Sequence, residues 1–217
     1  MRGLLLKDVF LLKNQKRFFL IFLFAAAGML FANLNPAFVI NYVTIIFAMF
    51  TLSTISYDEF DNGYAYLFTL PITRKQYVAE KYVFGFLVGG SVCLVVSAFA
   101  LIVTFFRTGI VDVGVLTPAF FSLLIMFLFF CAVLPLQLKF GAEKGRIVLV
   151  FFIGAIFAIG YVLANVVKDS KVDVSAAIEA MTSLNQASVI GLLFVISVAA
   201  VCLSYLLSVK IMQKKQF

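Results

Sequence analysis

The chain contains no histidine, and that absence removes two-histidine zinc proteases and Ser–His hydrolases. It has no Gly-x-x-x-x-Gly-Lys phosphate loop, so it does not hydrolyse nucleotides by that route. Charge is scarce: 17 basic and 10 acidic residues make up 12% of 217, against about a quarter in a soluble domain. The three cysteines, Cys93, Cys131 and Cys202, lie in three separate apolar runs. They read as small packing residues, not as disulfides or metal ligands. Neither a catalytic residue nor a metal site is expected.

What is abundant is apolar: 64% of the residues are hydrophobic and 27 are Phe. Six uninterrupted runs hold no ionisable residue: 18–34, 36–57, 82–106, 116–138, 147–167 and 189–209. Crossing a hydrocarbon core of roughly 30 Å takes about 20 helical residues. The alternation of a membrane β-strand is absent, which leaves helices as the way to satisfy the backbone in lipid. The expectation is an all-α, polytopic membrane protein: one transmembrane domain over 1–217 with six transmembrane helices. The runs hold no carboxylate pair for an intramembrane aspartyl protease and no ionisable relay for proton coupling. Sodium coupling through Asn, Ser and backbone carbonyls stays open. Energy is most simply supplied from outside the bilayer, by a separate subunit docking on the loops.

The charges that exist are unevenly placed. Segments 1–17, 58–81, 139–146 and 210–217 carry 14 of the 17 basic residues, a net charge of +8. The opposite loops carry Arg107, Lys168 and Lys171 with four acids, a net charge of −1. Short cytoplasmic loops are rich in Lys and Arg, so both termini are expected in the cytoplasm. The overall charge of +7 is then topological, with some attraction to anionic lipid, and calls for no nucleic acid. The basic start and Ala25-Ala26-Ala27 resemble a secretory signal, but apolar residues continue to Leu34 and retention is expected.

Residues 1–17 are helix-like, with a stripe of Leu5, Val9 and Leu12 beside Leu6 and Phe10. That suits a helix lying in the interface, or a plain extension of the first span. Asn33-Leu34-Asn35-Pro36 reads as a tight hairpin. In 58–81, Asp61 can cap a helix of about two turns ending at Leu70, before Pro71. Thr73-Arg74-Lys75-Gln76 matches a capping box, so a second helix should start there and run into the third span. The tyrosines between suit an aromatic belt, while Asp58, Glu59 and Asp61 suit a basic partner better than anionic lipid. Segment 168–188 has a helical period, with Val174, Ala177, Ile178, Met181 and Leu184 on one face. This outer amphipathic helix is either a membrane-resting connector or a gate. Gly85–Gly89 and Gly154–Ala158 are spaced for close helix approach, and Pro135 should loosen or kink the fourth span near its inner end. Asn41, Thr44, Thr51 and Thr54 make the second span polar enough to be a weak candidate for lining a pathway. Phe and small hydroxyls would suit an amphipathic or lipid-like substrate.

The stretches LLLKD, YDEFDNGYAYLFTLPITRKQYVAEKY and LKFGAEKGR, in this order and spacing, resemble bacterial ABC-transporter permeases of the type-two exporter class. Within that class they are most similar to the short six-span group, which includes phenol-soluble-modulin exporter and lantibiotic-immunity permeases. The resemblance implies a bacterial plasma-membrane protein in which two permease copies pair with two cytoplasmic ATPase subunits. Those subunits would bind ATP and Mg; this chain would hold no cofactor. It further implies an N-terminal interfacial elbow helix and a cytoplasmic coupling helix. Carried onto this sequence, the coupling residues are Asp58, Glu59, Asp61, Tyr64, Tyr66, Leu67, Leu70, Pro71 and Arg74. A second cytoplasmic contact would involve Lys139, Glu143, Lys144 and Arg146. Export of amphipathic, antimicrobial or cytolytic peptides is the expected function. Efflux of hydrophobic drugs or lipids is the alternative, and a secondary carrier or a non-transporting scaffold are rivals of another class.

Overall fold

The computed structural model describes residues 2–60, 63–110, 113–169 and 186–215, and among these every regular element is helical. The elements are α1 (Arg2–Asn14), α2 (Lys16–Phe31), α3 (Pro36–Glu59), α4 (Gly63–Leu67) and α5 (Arg74–Thr108). A short 3-10 turn (Val113–Val115) leads into a 54-residue helical stretch, Leu116–Asp169, that leaves helical geometry at Gly141. Its arms are α6 (Leu116–Gly141) and α7 (142–169), and α8 (Gln186–Lys214) completes the chain.

Four of the described helices are long and apolar enough to cross a bilayer: α3, α5, α6 and the Ile190–Lys214 part of α8. The expected first span is shorter than its apolar run. Asn33 adopts a left-handed turn (φ 63), which leaves α2 with 16 residues, about 24 Å at 1.5 Å per residue. The next helix starts cleanly because Asn35 accepts a hydrogen bond from the Ala37 amide (2.9 Å) and Pro36 sits at the first helical position. The expected fifth span falls on α7, and the outer amphipathic segment, with Asp173, falls on 170–185, outside the described residues.

Gly141, not Pro135, turns the chain. Pro135 is carried inside α6, whereas Gly141 takes φ 79, ψ −179, a backbone region open essentially to glycine. A Cβ on Gly145 would lie 3.5 Å from the Gln137 Cα. Eight residues apart along an unbroken helix would be about 12 Å. The expected loop 139–146 is therefore a sharp reversal, and 142–146 are already helical.

Helix α3 packs against α5 and α6, while α8 lies along both. Lipid supplies no hydrophobic drive between helices, so close fit and hydrogen bonds carry the association. Gly85 and Gly89 provide the fit: a Cβ on Gly85 would meet the Phe130 ring at 2.6 Å, and one on Gly89 would strike Met126 Sδ. Rings fill the rest, with Phe19 against Phe47 and Phe50 (4.6 and 4.9 Å) and Phe86 against Phe127 and Phe130 (4.9 and 5.5 Å). Polar stitches cross the seams. Tyr82 shares hydrogen bonds with Ser204 and Ser208 (2.6 and 3.0 Å), Ser204 donates to the Cys131 carbonyl (2.8 Å), and Gln137 donates to the Leu52 carbonyl and Ser56 (both 3.0 Å).

The two ends of the bundle are chemically distinct. Arg107 ties α5 to the Phe31 carbonyl (2.6 Å) and the Asn33 side chain at one end. At the other, α1, the α3–α5 connection, the Gly141 reversal and the end of α8 through Lys215 come together. There Lys215 pairs with Glu59 (3.2 Å), and Arg74 donates to the Gln213 carbonyl (2.6 Å).

Replacing Gly141 by Ala should lower the thermal unfolding midpoint of the detergent-solubilised protein. The forced backbone costs about 1–3 kcal/mol, and the new Cβ would press on Glu59 Oε1, 2.5 Å away. Pro135→Ala should leave the reversal intact, checked by an unchanged distance between spin labels on α6 and α7.

Candidate functional site

The basic end is organised around one ammonium group. Lys81, on the first turns of α5, has no exposed side-chain surface. Its Nζ lies 2.5 Å from Asp8 Oδ2 of α1, 2.8 Å from Asp58 Oδ2 of α3 and 3.1 Å from Thr54 Oγ1 of α3. Lys7 pairs with the other Asp58 oxygen and lies 3.3 Å from Asp8 Oδ1. Glu80, also buried, approaches Lys81 at 3.5 Å. Tyr77 donates to Asp58 (3.1 Å), and its hydroxyl lies 3.4 Å from that of Tyr64 on α4. Burial pushes the Tyr64 hydroxyl well above its ordinary range, so it remains a neutral hydrogen-bonding group. Charges removed from water are tolerated only when paired and hydrogen-bonded, and here the pairing joins α1, α3 and α5 directly.

Local sequence explains how α4 is held. Thr73 accepts from the Gln76 amide (3.2 Å) while the Gln76 side chain accepts from the Thr73 amide (3.1 Å), so the capping box forms as expected and fixes the start of α5. Helix α4 itself is a little over one turn, Gly63–Leu67, shorter than the expected two. A side chain at Gly63 would strike the Asp58 carbonyl (2.6 Å), so the chain passes tightly over the end of α3. Tyr64 and Leu67 are buried beneath it, with Tyr64 stacked beside Phe68 (6.3 Å) and edge-on to Tyr77 (5.7 Å).

The surface that remains differs from the one expected. Asp58 and Tyr64, expected as contacts with a partner, are buried in the protomer, and the cations beside Asp58 belong to the chain itself. Asp58 meets Lys7 and Lys81, and Glu59 meets Lys215. Asp61 lies outside the described residues. Leu67 is buried, while Pro71 is exposed and Arg74 is engaged with the end of α8 and the Phe68 ring. The prominent apolar groups are Phe60 and Tyr66, each 73% exposed, with Leu70 at the edge. Phe60 carried no signal beyond its place in an aromatic stretch.

Lys139 and Lys144 are exposed near the Gly141 reversal, Lys139 lying over the Phe140 ring (5.1 Å); the side chains of Glu143 and Arg146 are outside the described residues. Thr44, Thr51 and Thr54 are buried within the protomer, and Asn41 donates to the Ala37 carbonyl (2.9 Å). Thr54 belongs to the lysine site. Asp8, which sequence spacing did not single out, proved central. The inward face of α1 is Leu4 and Asp8, and the expected stripe divides: Leu5 and Leu12 are half-buried, while Leu6, Val9 and Phe10 are exposed. Two apolar hollows open on the helix surfaces. One, of about 410 Å³, lies between α5 and α8 by Tyr82, Val201 and Tyr205; the other, of about 360 Å³, lies between α2 and α5 by Phe24 and Phe99.

A family model for ABC-2 family transporter proteins matches residues 3–213 of the chain. No curated protein and no solved structure matches it.

Lys81→Met should destabilise the protein by about 3–5 kcal/mol, since it leaves the buried Asp8 and Asp58 with only the part-exposed Lys7 as cation. Lys75→Met, at an exposed position, should change little. Denaturant titration of the two variants in the same detergent makes the comparison. Thr73→Ala should cost about 1 kcal/mol through loss of the cap.

Proposed function

The chain belongs to the ABC-2 family of transporter proteins, and from that premise we propose that it is the membrane-spanning permease subunit of an ATP-driven exporter. Proteins of this family are multi-pass membrane components of transporters that work with ATPase partner subunits and are not themselves catalytic. In this reading the protein sits in the bacterial plasma membrane with six spans and both termini in the cytoplasm. Two copies pair with two ATPase chains that bind ATP and Mg. Helix α1 is the interfacial elbow, with Leu6, Val9 and Phe10 turned to lipid, and α4 is the coupling helix.

One observation carries the reading. A short helix bearing exposed Tyr66, flanked by exposed Phe60 and Leu70, is held between two long apolar helices by its buried Tyr64 and Leu67, with the Tyr64 hydroxyl 3.4 Å from that of Tyr77. A partner's closure against such an element moves α3 and α5, because the connection is too short and too well packed to absorb it. Coupling by rigid-body displacement needs this stiffness. The direct contacts with the ATPase are then Phe60, Tyr66, Leu70 and Pro71, with Lys139 and Lys144 as a second patch. Asp58 and Tyr64 act from within by holding α4 in place.

Amphipathic peptides, including cytolytic or immunity-related ones, are the preferred cargo, in keeping with the resemblance of the sequence to permeases for such peptides. Efflux of hydrophobic drugs or lipids is the second reading, favoured by the two apolar hollows on the helix surfaces.

Reconstituted with its ATPase, the protein should show ATP hydrolysis stimulated by amphipathic peptide. Transport by the protein alone, driven by an ion gradient, would overturn the proposal in favour of a secondary carrier. Tyr66→Ala combined with Leu70→Ala should reduce co-purification of the ATPase several-fold while membrane insertion and thermal stability stay near wild type. Full retention of the ATPase by this variant would count against α4 as the docking element.

A further inference from the structure

The charges around Lys81 do not balance. Three carboxylates, Asp8, Asp58 and Glu80, face two ammonium groups, Lys7 and Lys81. The side chains of Asp8, Glu80 and Lys81 have no exposed surface, and that of Asp58 has 6%. An uncompensated charge is costly to keep away from water, so a site of this kind neutralises one member or binds a further cation.

The hydrogen bonds identify which member is left over. The Lys81 ammonium has three donors, and Asp8 Oδ2, Asp58 Oδ2 and Thr54 Oγ1 stand at 2.5, 2.8 and 3.1 Å to receive them. Glu80 Oε2, at 3.5 Å, receives none. Both Glu80 oxygens and Asp8 Oδ1 are buried and accept no hydrogen bond from the described residues, the Lys7 ammonium standing 3.3 Å from Asp8 Oδ1 as an ion pair only. Asp8 Oδ2 and Glu80 Oε2 stand 2.5 and 3.5 Å from the same Lys81 ammonium, so the two buried carboxyls are close neighbours. Two buried carboxylates so placed repel, and one proton removes the excess charge and supplies the missing donor.

We propose that Glu80 binds a proton and donates it to Asp8 Oδ1, so that the buried site is electrically neutral and α1 is latched to α5 by a carboxyl–carboxylate bond beside the Lys81 ion pairs. The proton belongs on Glu80 because Lys7 and Lys81 both crowd Asp8, while Glu80 has only the more distant contact with Lys81. The other titratable groups facing the site are Asp58 on α3, Tyr64 on α4 and Tyr77 on α5, and Tyr77 already donates to Asp58. Among the described residues no group hydrogen-bonds to either Glu80 oxygen. The inference does not depend on what the protein transports.

The sign of the pH effect follows. A proton bound more tightly in the folded than in the unfolded protein stabilises the fold at low pH, and that stabilisation is lost as rising pH removes it. The test uses the full chain in nanodiscs of neutral phospholipid. Infrared spectroscopy of the wild type should show a deuterium-sensitive protonated-carboxyl C=O band that disappears on alkalinisation, over the same interval in which the unfolding midpoint falls. Glu80→Gln, whose amide can donate to Asp8 as the acid does, should lack the band, fold normally and lose that pH dependence. Glu80→Ala should be less stable than Glu80→Gln throughout. Absence of the band from the wild type, its persistence in Glu80→Gln, or failure of Glu80→Gln to fold would each overturn the assignment. So would stabilisation of the wild type by sodium or potassium in place of a protonated-carboxyl band, which would give the missing charge to a metal cation.

Discussion

The Lys81 ion pairs are the interaction on which the rest of this structure depends. A single ammonium group holds a carboxylate from the first helix, a carboxylate from the end of the third and the hydroxyl of Thr54 one turn further in. Because these groups are out of water, each is costly if a partner is removed, so the three helix ends are fixed relative to one another. The short helix α4 inherits this rigidity through Tyr77 and Tyr64, whose hydroxyls extend the same network. The stiffness of this joint is electrostatic at its centre and aromatic around it.

The body of the bundle rests on a different physics. Between helices in lipid the hydrophobic effect gives little, and the structure uses small residues, rings and isolated hydroxyls instead. Gly85 and Gly89 let α6 approach until Phe130 and Met126 fill the space a side chain would take, and Tyr82 spans to two serines of α8. Such contacts are close-range and short of charge, unlike the lysine site. The molecule therefore combines one immovable corner with seams whose polar content is low.

Much of the architecture was legible in sequence, and the reasons are local. Apolar run length identifies helices that can cross the bilayer, and the capping box at Thr73 set the start of α5 because both of its hydrogen bonds lie within four residues. The concentration of Lys and Arg in four segments anticipated that they would gather at one end, as Lys7, Arg74, Lys81 and Lys215 do. The loop expected at 139–146 is where the chain reverses, although nothing in its composition showed that Gly141 makes the turn. Pro135 weakens a helix without ending it, whereas Gly141 takes a backbone conformation that other residues avoid.

The sequence by itself determined the class of protein, the apolar helices and their punctuation, because spacing, composition and capping act over a few residues. Only the tertiary structure decided what the charges are for. Asp58 stands in a polar connecting segment and reads there as a surface acid awaiting a partner. Its partners, Lys7 and Lys81, lie 51 and 23 positions away along the chain and are brought to it only when α1 folds against α5. Asp8 gave no warning at all, since an acid one residue from a lysine near a chain terminus resembles any solvated pair. Its burial follows from α1 turning that face inward, and no pattern within thirteen residues of helix encodes where a distant ammonium will stand.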